Sequence, residues 1–305
     1  MNHHRFSTGR VVLLSLFAFT GSVLAGSVAT VSSDSSTPQP PNSFKAEVSQ
    51  IFQSNFKRGH GYDPHQKDNN GTNTWAYSIE ATHAFALSDS LALKLGLALR
   101  RFDFGDNRSF APNTLQNYGA IVGLEYKTAN GLGFCLDSRP GLYFSHDLNG
   151  NSFDSPTTLT LSYPLMEGQM VLVGGMRASI LSGYPVLPVG GILWHINNAW
   201  DLQAVVPKPR LVYKANDKLE LYGGGELVGG SFRVDSSDHQ NLNGTTVDYY
   251  EVRTGAGVSY QPWTLGTLDF GAGYALIRKF DFHRADETAS TQPAPYVQMQ
   301  FSGQF

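Results

Sequence analysis

Three observations predict an all-β chain that folds as a transmembrane up-and-down antiparallel β-barrel of about 14 strands. Large apolar and small polar residues alternate with period two in one segment after another. Polar turn segments alternate between short and long along most of the chain. The face opposite the large apolar residues is Gly, Ser, Thr, Ala and Gln with scattered charge, which suits a wetted interior better than a dry one.

The first residues read as an export signal. His3, His4, Arg5 and Arg10 precede the apolar run "VVLLSLFAF", and small residues in "GSVLAG" place the cut after Ala25, so residues 1–25 are expected to be a signal peptide. Residues 26–43, rich in Ser, Thr and Pro, read as a flexible periplasmic leader. The barrel is expected over 44–305. No later stretch is apolar for long enough to cross a bilayer as a helix.

Strands follow in order. "WAYSIEATHAF" sets Trp75, Tyr77, Ile79, Ala81, His83 and Phe85 against Thr74, Ser78, Glu80 and Thr82. "LALKLGLAL" sets Leu91, Leu93, Leu95, Leu97 and Leu99 against Ala92, Lys94, Gly96 and Ala98, and "YGAIVGLEY" sets Tyr118, Ala120, Val122, Leu124 and Tyr126 against Gly119, Gly123 and Glu125. Near the end, "LDFGAGYAL" sets Leu268, Phe270, Ala272, Tyr274 and Leu276 against Asp269, Gly271, Gly273 and Ala275. Short turns fall at "SDS", "TANG", "NNA" and "AND", and long polar ones at "GHGYDPHQKDNNGTN", "GDNRSFAPNT", "HDLNGNSFDSP", "SSDHQNLNGTT" and "RADETASTQPAP". Proline has no place inside a fully paired strand, so "VVPKPRLVY" is expected to break into a tight turn at Pro207 to Pro209; without that break the count falls to about 12.

A soluble lipocalin-like barrel alternates as well, so the two faces must decide. The apolar face is uniform from strand to strand and carries aromatics near strand ends, as girdles at two lipid–water interfaces require. The final strand "PYVQMQFSGQF" puts Val297, Met299, Phe301, Gly303 and Phe305 on that face. Such a strand needs a partner, because an open edge in hydrocarbon leaves peptide groups unsatisfied at several kcal/mol each.

Composition excludes other classes. Lys and Arg number 22 against 25 Asp and Glu, for a net charge of −3, so no basic surplus points to nucleic acid. The single cysteine, Cys135, rules out an intrachain disulfide and cysteine-based zinc clusters.

The segment "VVPKPRLVYKANDKLELYGGGELVGGSFRV" at 205–234, together with the C-terminal strands, resembles a family of bacterial outer-membrane β-barrels known only as a domain of unknown function. The resemblance spans roughly 44–305. It implies the barrel fold and the bacterial outer membrane as location, and it carries over no activity. The terminal strand also resembles the signal read by the barrel-assembly machinery, with Phe301 and Phe305 as its apolar positions; Gly303 departs from the bulkier residue usual there. That machinery, outer-membrane lipid and a small solute are the expected partners. No cofactor, metal or nucleic acid is expected.

By parity the lumen receives Lys94, Arg100, Arg177, Arg210, Arg253 and Lys279, together with Glu80, Glu125, Glu220, Glu226, Glu251 and Asp269. Mixed signs argue against a charge-selective ring and for cross-strand pairs. Two readings stay open: the pairs satisfy one another inside a filled structural barrel, or they line a polar conduit for a small solute, with Arg210, Glu226 and Arg253 as its centre. Porin-like or transporter-like passage is the leading expectation, a structural or surface-interaction barrel the alternative, and an outer-membrane hydrolase the third. The hydrolase would need a nucleophile within reach of His83, His146 or His195, and no G-x-S-x-G supplies one. His60, Asp63, His65 and Asp68 in the first long loop match no fixed metal-ligand spacing. The glycines at 223–225 lie inside a strand and read as a relief of crowding or a bend in the wall.

Overall fold

A computed structural model describes residues 41–58, 71–105, 111–166, 168–235, 242–264 and 266–305. The expected signal peptide, most of the leader, and the loop with His60, Asp63, His65 and Asp68 lie outside these residues.

The chain forms a closed antiparallel barrel of 14 strands. In chain order they are β1 (Asn42–Ser54, continued by Phe56–Arg58), β2 (Thr72–Ser88), β3 (Leu91–Asp103), β4 (Thr114–Lys127) and β5 (Gly133–Ser138 and Gly141–Phe144). Next come β6 (Phe153–Asp154 and Thr157–Met166), β7 (Met170–Ala178), β8 (Val186–Asn197), β9 (Trp200–Val205) and β10 (Arg210–Asn216). The last four are β11 (Leu219–Val234), β12 (Thr245–Trp263), β13 (Gly266–Phe282) and β14 (Glu287–Thr291 and Ala294–Gln304). Each strand pairs with its sequence neighbours, and β14 closes on β1 from Ser43 opposite Gln304 to Ile51 opposite Tyr296. The Asn42 amide donates to the Phe305 carbonyl at 3.0 Å and the Phe305 amide donates to the Asn42 carbonyl at 3.0 Å, so pairing runs to the final residue. No helix among the described residues is long and apolar enough to cross a membrane; the crossing elements are strands.

The large apolar face turns outward. Leu95, Leu97, Leu99, Tyr118, Leu124, Phe270, Tyr274 and Met299 are all exposed, Leu97 at 67%. Aromatics gather where the strands meet the short turns: Trp200 and Tyr213 pack at 4.9 Å between ring centroids, Tyr126 and Phe134 at 6.2 Å. By the rule that short turns are periplasmic and long loops extracellular, this end, which also holds Phe305, faces the periplasm. Leu97 sits mid-strand in the apolar band. Arginine there is expected to cost about 2–4 kcal/mol of folding free energy, read by urea titration of the barrel refolded into lipid vesicles, while the same change near a strand end costs about 0–1.

Two expectations need correction. The segment "RADETASTQPAP" is not a continuous loop, because Glu287–Thr291 pairs with β13 and with the Phe56–Arg58 extension of β1. The interior is also not uniformly small and polar. At the long-loop end it is filled by Phe56, Phe102, Phe104, Tyr143, Phe232, Tyr249, Phe280 and Phe282, all buried. Tyr249 lies 5.1 Å from Phe102, 5.0 Å from Phe104 and 4.7 Å from Phe280 between centroids. These are edge and tilted contacts of the kind aromatic quadrupoles favour.

One bulge resets the interior. Val252 faces Ile277 but Arg253 faces Ala275, so β13 carries one extra residue. Leu276 and Ile277 are consequently both exposed, at 45% and 50%. The parity expected for Lys279 is overturned as a result: Lys279 lies outside, paired with Asp281 at 2.8 Å, and Arg278 takes the interior place.

The break at Pro207 to Pro209 is present and makes β9 and β10 a short hairpin of six and seven residues. Its tip stays attached to β11 through the Gly225 amide, donated to the Pro209 carbonyl at 2.9 Å, and the Leu227 amide, donated to the Pro207 carbonyl at 2.8 Å. Beyond the tip, the segment joining β7 to β8 takes over the wall. The Ile180 amide donates to Asp154 at 2.8 Å and the Gly183 amide donates to Asp248 at 2.9 Å.

Candidate functional site

Burial along the interior differs from strand to strand, with Val173, Val212 and Asp269 buried near the short turns. Along β12, Val247, Tyr249, Glu251 and Arg253 are buried, whereas Gly255, Gly257 and Ser259 are half-buried. The lumen is roofed at the long-loop end by the aromatic cluster.

Directly beneath the roof is a layer of charge. Arg253 Nε donates to Glu251 Oε2 at 2.7 Å, and Arg253 Nη1 donates to Ser49 at 3.2 Å. Arg278 donates to Ser54 at 2.8 Å and to Thr74 at 2.6 Å, and its Nε lies 3.8 Å from Glu251 Oε1. The Tyr249 hydroxyl donates to that same carboxylate oxygen. Both arginines are about fully buried, at 1% exposure each, and Glu251 is at 0%. One carboxylate thus holds two guanidinium groups out of water, with the Ser49, Ser54 and Thr74 hydroxyls accepting three more of their N–H groups.

Below this layer lies a pocket bounded by Lys45, Glu47, Arg100, Lys208, Glu226 and Arg253, with Phe102 and Val228 against the aromatic side. Alternation on β1 aims Lys45 and Glu47 inward, and they pair at 3.4 Å. Lys208 reaches in from the tip of the short hairpin to Glu226 at 3.1 Å. Glu226 and Arg253 are register partners on β11 and β12. Across the lumen, Arg139 on the bend of β5 grips Glu80 of β2 through both Nη atoms, at 2.8 and 3.3 Å, and its Nε donates to Asp137 at 3.1 Å. That fork-to-fork geometry ties β2 to β5 across the two strands between them.

Of the residues expected in the lumen, Glu226, Arg253 and Arg100 share this pocket, and Glu251 lies behind Arg253. Arg210 does not reach it; its guanidinium sits over the Tyr222 ring at 4.9 Å, opposite Gly224 in register. Lys94 lies nearer the periplasmic end, 3.6 Å from Glu125 and 3.9 Å from Asp137. The apolar terminal positions face out: Phe301 packs on Phe44 at 6.3 Å and Phe305 is 59% exposed. Around the glycines at 223–225 the wall is bare of Cβ atoms. Gly224, Gly255 and Gly273 lie in one row across β11, β12 and β13. A Cβ on Gly255 would run into the Tyr296 hydroxyl and one on Gly257 into the Tyr222 ring, so both rings lie flat on the wall.

Lys45, Glu47, Lys208, Arg139 and Arg278 were not among the expected lumen residues. Lys45 and Glu47 were readable, being two and four residues from Ser43 in phase with Ser49. Lys208 belongs to a turn and has no periodic signal. Of the histidines weighed for hydrolysis, His83 Nδ1 bonds Asn42 at 2.8 Å, His195 Nδ1 bonds Asp201 at 2.6 Å, and exposed His146 lies 3.4 Å from Asp147, whereas His283 Nε2 lies 3.3 Å from the Thr246 hydroxyl and its Nδ1 4.0 Å from Asp248.

A closed barrel with a lipid-facing apolar band and aromatic belts defines an outer-membrane β-barrel. No protein-family model and no curated protein matches the chain. Among solved structures it resembles the COG4313 outer membrane channel from Pseudomonas putida F1, with a TM-score of 0.50 at 10% identity over 89% of this chain and 99% of that one. The Pseudomonas putida toluene transporter TodX gives 0.44 at 11% identity over 95% of each chain, and LpxR from Salmonella typhimurium 0.39 at 9% identity over 86% of this chain and 100% of that one. At these identities the likeness is one of fold.

Proposed function

We propose that the barrel passes a small solute across the outer membrane from a resting state that is shut at the extracellular end. The observation that carries this reading is the mid-barrel pocket: a charged chamber below an aromatic roof. A purely structural barrel has no need to hold six charged groups around empty space, since hydrophobic filling of similar volume is at least as stable. A constitutively open porin, for its part, would have no roof. The fold likeness to an outer membrane channel is consistent with passage and adds no residue to the argument.

The structural alternative draws its support from the Glu251, Arg253 and Arg278 layer, which crosses the lumen with buried, ion-paired charge. Proteoliposomes separate the two. With the refolded protein, vesicles are expected to take up at least one of a panel of impermeant small sugars, carboxylates and amines faster than empty vesicles, while a planar bilayer shows no steady conductance at low voltage. A large steady conductance removes the shut resting state. Uptake equal to that of empty vesicles across the whole panel, in the wild type and in a variant with a thinned roof, returns the structural reading.

A further inference from the structure

We propose that the chamber beneath the aromatic roof is a binding site for a small amphipathic carboxylate, its head against Arg100 and Arg253 and its apolar part against Phe102 and Val228. This rests on the passage reading above and names the class of solute.

The charge count is uneven. Lys45, Arg100, Lys208 and Arg253 bring four positive charges, and Glu47 and Glu226 bring two negative ones. Lys45 with Glu47 and Lys208 with Glu226 are the two pairs, at 3.4 and 3.1 Å. Arg100 makes no hydrogen bond or salt bridge among the described residues, although it lies in electrostatic range of Glu47 and Glu80. Arg253 spends Nε on Glu251 and Nη1 on Ser49, and its Nη2, in a side chain 1% exposed, has no partner. A buried guanidinium N–H without an acceptor costs free energy that an incoming oxygen recovers, and a carboxylate recovers most because the bond is charge-assisted. The surplus positive charge inside low-dielectric walls raises the local concentration of anions before contact. Glu226 Oε2 is the second buried atom here without a partner, an acceptor for water or for a hydroxyl on the ligand.

The shape selects the rest of the molecule. Phe102 and Val228 form the roof side of the pocket and belong to or pack on the aromatic cluster, so a ligand whose head meets the arginines places its tail against carbon. A free inorganic anion would satisfy the arginines and leave the apolar side wet. A cation would meet like charge.

The test is calorimetric titration of the refolded full chain in nonionic detergent with sodium hexanoate, hexylamine hydrochloride and hexanol, each against a detergent blank. Hexanoate is expected to bind, with hexylamine and hexanol weaker by about tenfold or more. Arg100→Gln should weaken hexanoate about tenfold while leaving hexanol unchanged and the folded, heat-modifiable band on gels intact. Arg100 is chosen because it stands outside the Glu251 layer; Lys208→Gln is the second variant should the first not fold, with a weakening of hexanoate expected there too. Equal binding of hexanol, tighter binding of hexylamine, no heat from hexanoate, or an Arg100→Gln protein that binds hexanoate like the wild type would each overturn the site. Hexanoate binding with no uptake of any solute keeps the site and removes passage. Uptake blind to charge, without hexanoate binding, does the reverse.

Discussion

Truncating Phe104 to alanine should open the extracellular end of the barrel and cost about 3–5 kcal/mol of stability. Phe104 is fully buried and touches Tyr249 at 5.0 Å, Phe280 at 4.9 Å and Phe102 at 6.3 Å between centroids, so it ties three strands of the roof together. Its removal leaves a ring-sized gap between groups anchored on separate strands, and a gap so framed cannot collapse fully. Two readouts are expected to move together: the urea midpoint in lipid vesicles falls, and steady conductance appears in planar bilayers where the wild type has none. Phe104→Leu, which keeps most of the volume, should lose less stability and stay shut. An alanine variant that folds and passes no ions would place the barrier lower, at the arginine layer.

The second large effect concerns that layer. Glu251→Leu removes the only carboxylate bonded to Arg253 and Arg278 among the described residues and leaves two buried cations facing each other. Breaking one side of a buried ion pair costs about 3–5 kcal/mol, because the remaining charge stays desolvated without its partner. Ser49, Ser54 and Thr74 still offer their hydroxyl oxygens, but they carry no charge to offset the repulsion. A triple variant, Glu251→Leu with Arg253→Met and Arg278→Met, is expected to recover much of the loss, since it deletes the cations as well. If the single change costs less than about 1 kcal/mol in vesicle unfolding, water reaches the arginines and the layer is not a seal.

The strands and their faces were readable because lipid strongly favours apolar side chains at the positions facing it, so period two survives even where the interior is irregular. Leu91 to Leu99 shows it at its cleanest. The strand count was readable for the same reason once Pro207 to Pro209 was read as a break. What parity cannot reveal is an inserted residue, and the bulge beside Arg253 therefore hid Arg278 and misplaced Lys279. The roof carried a signal that went unread. Phe102 and Phe104 are in phase with Arg100, which already faced the lumen, and Phe280 and Phe282 are in phase with Arg278. The pocket was legible in part, through Arg100, Glu226 and Arg253. Lys208 was not, because its approach to Glu226 depends on how a turn tip leans against β11, and no sequence period records that.

The six- and seven-residue strands β9 and β10 have a mechanical consequence. On that flank a loop bearing exposed Ile180 and Tyr184, tied down by the carboxylates of Asp154 and Asp248, stands in the wall beyond the short hairpin. Thickness mismatch costs fractions of a kcal/mol per ångström and is relieved wherever the protein is softest. Squeezing or stretching the membrane should therefore register first at this seam, and bilayers of graded chain length become a dial on the shape of a single side of the cylinder.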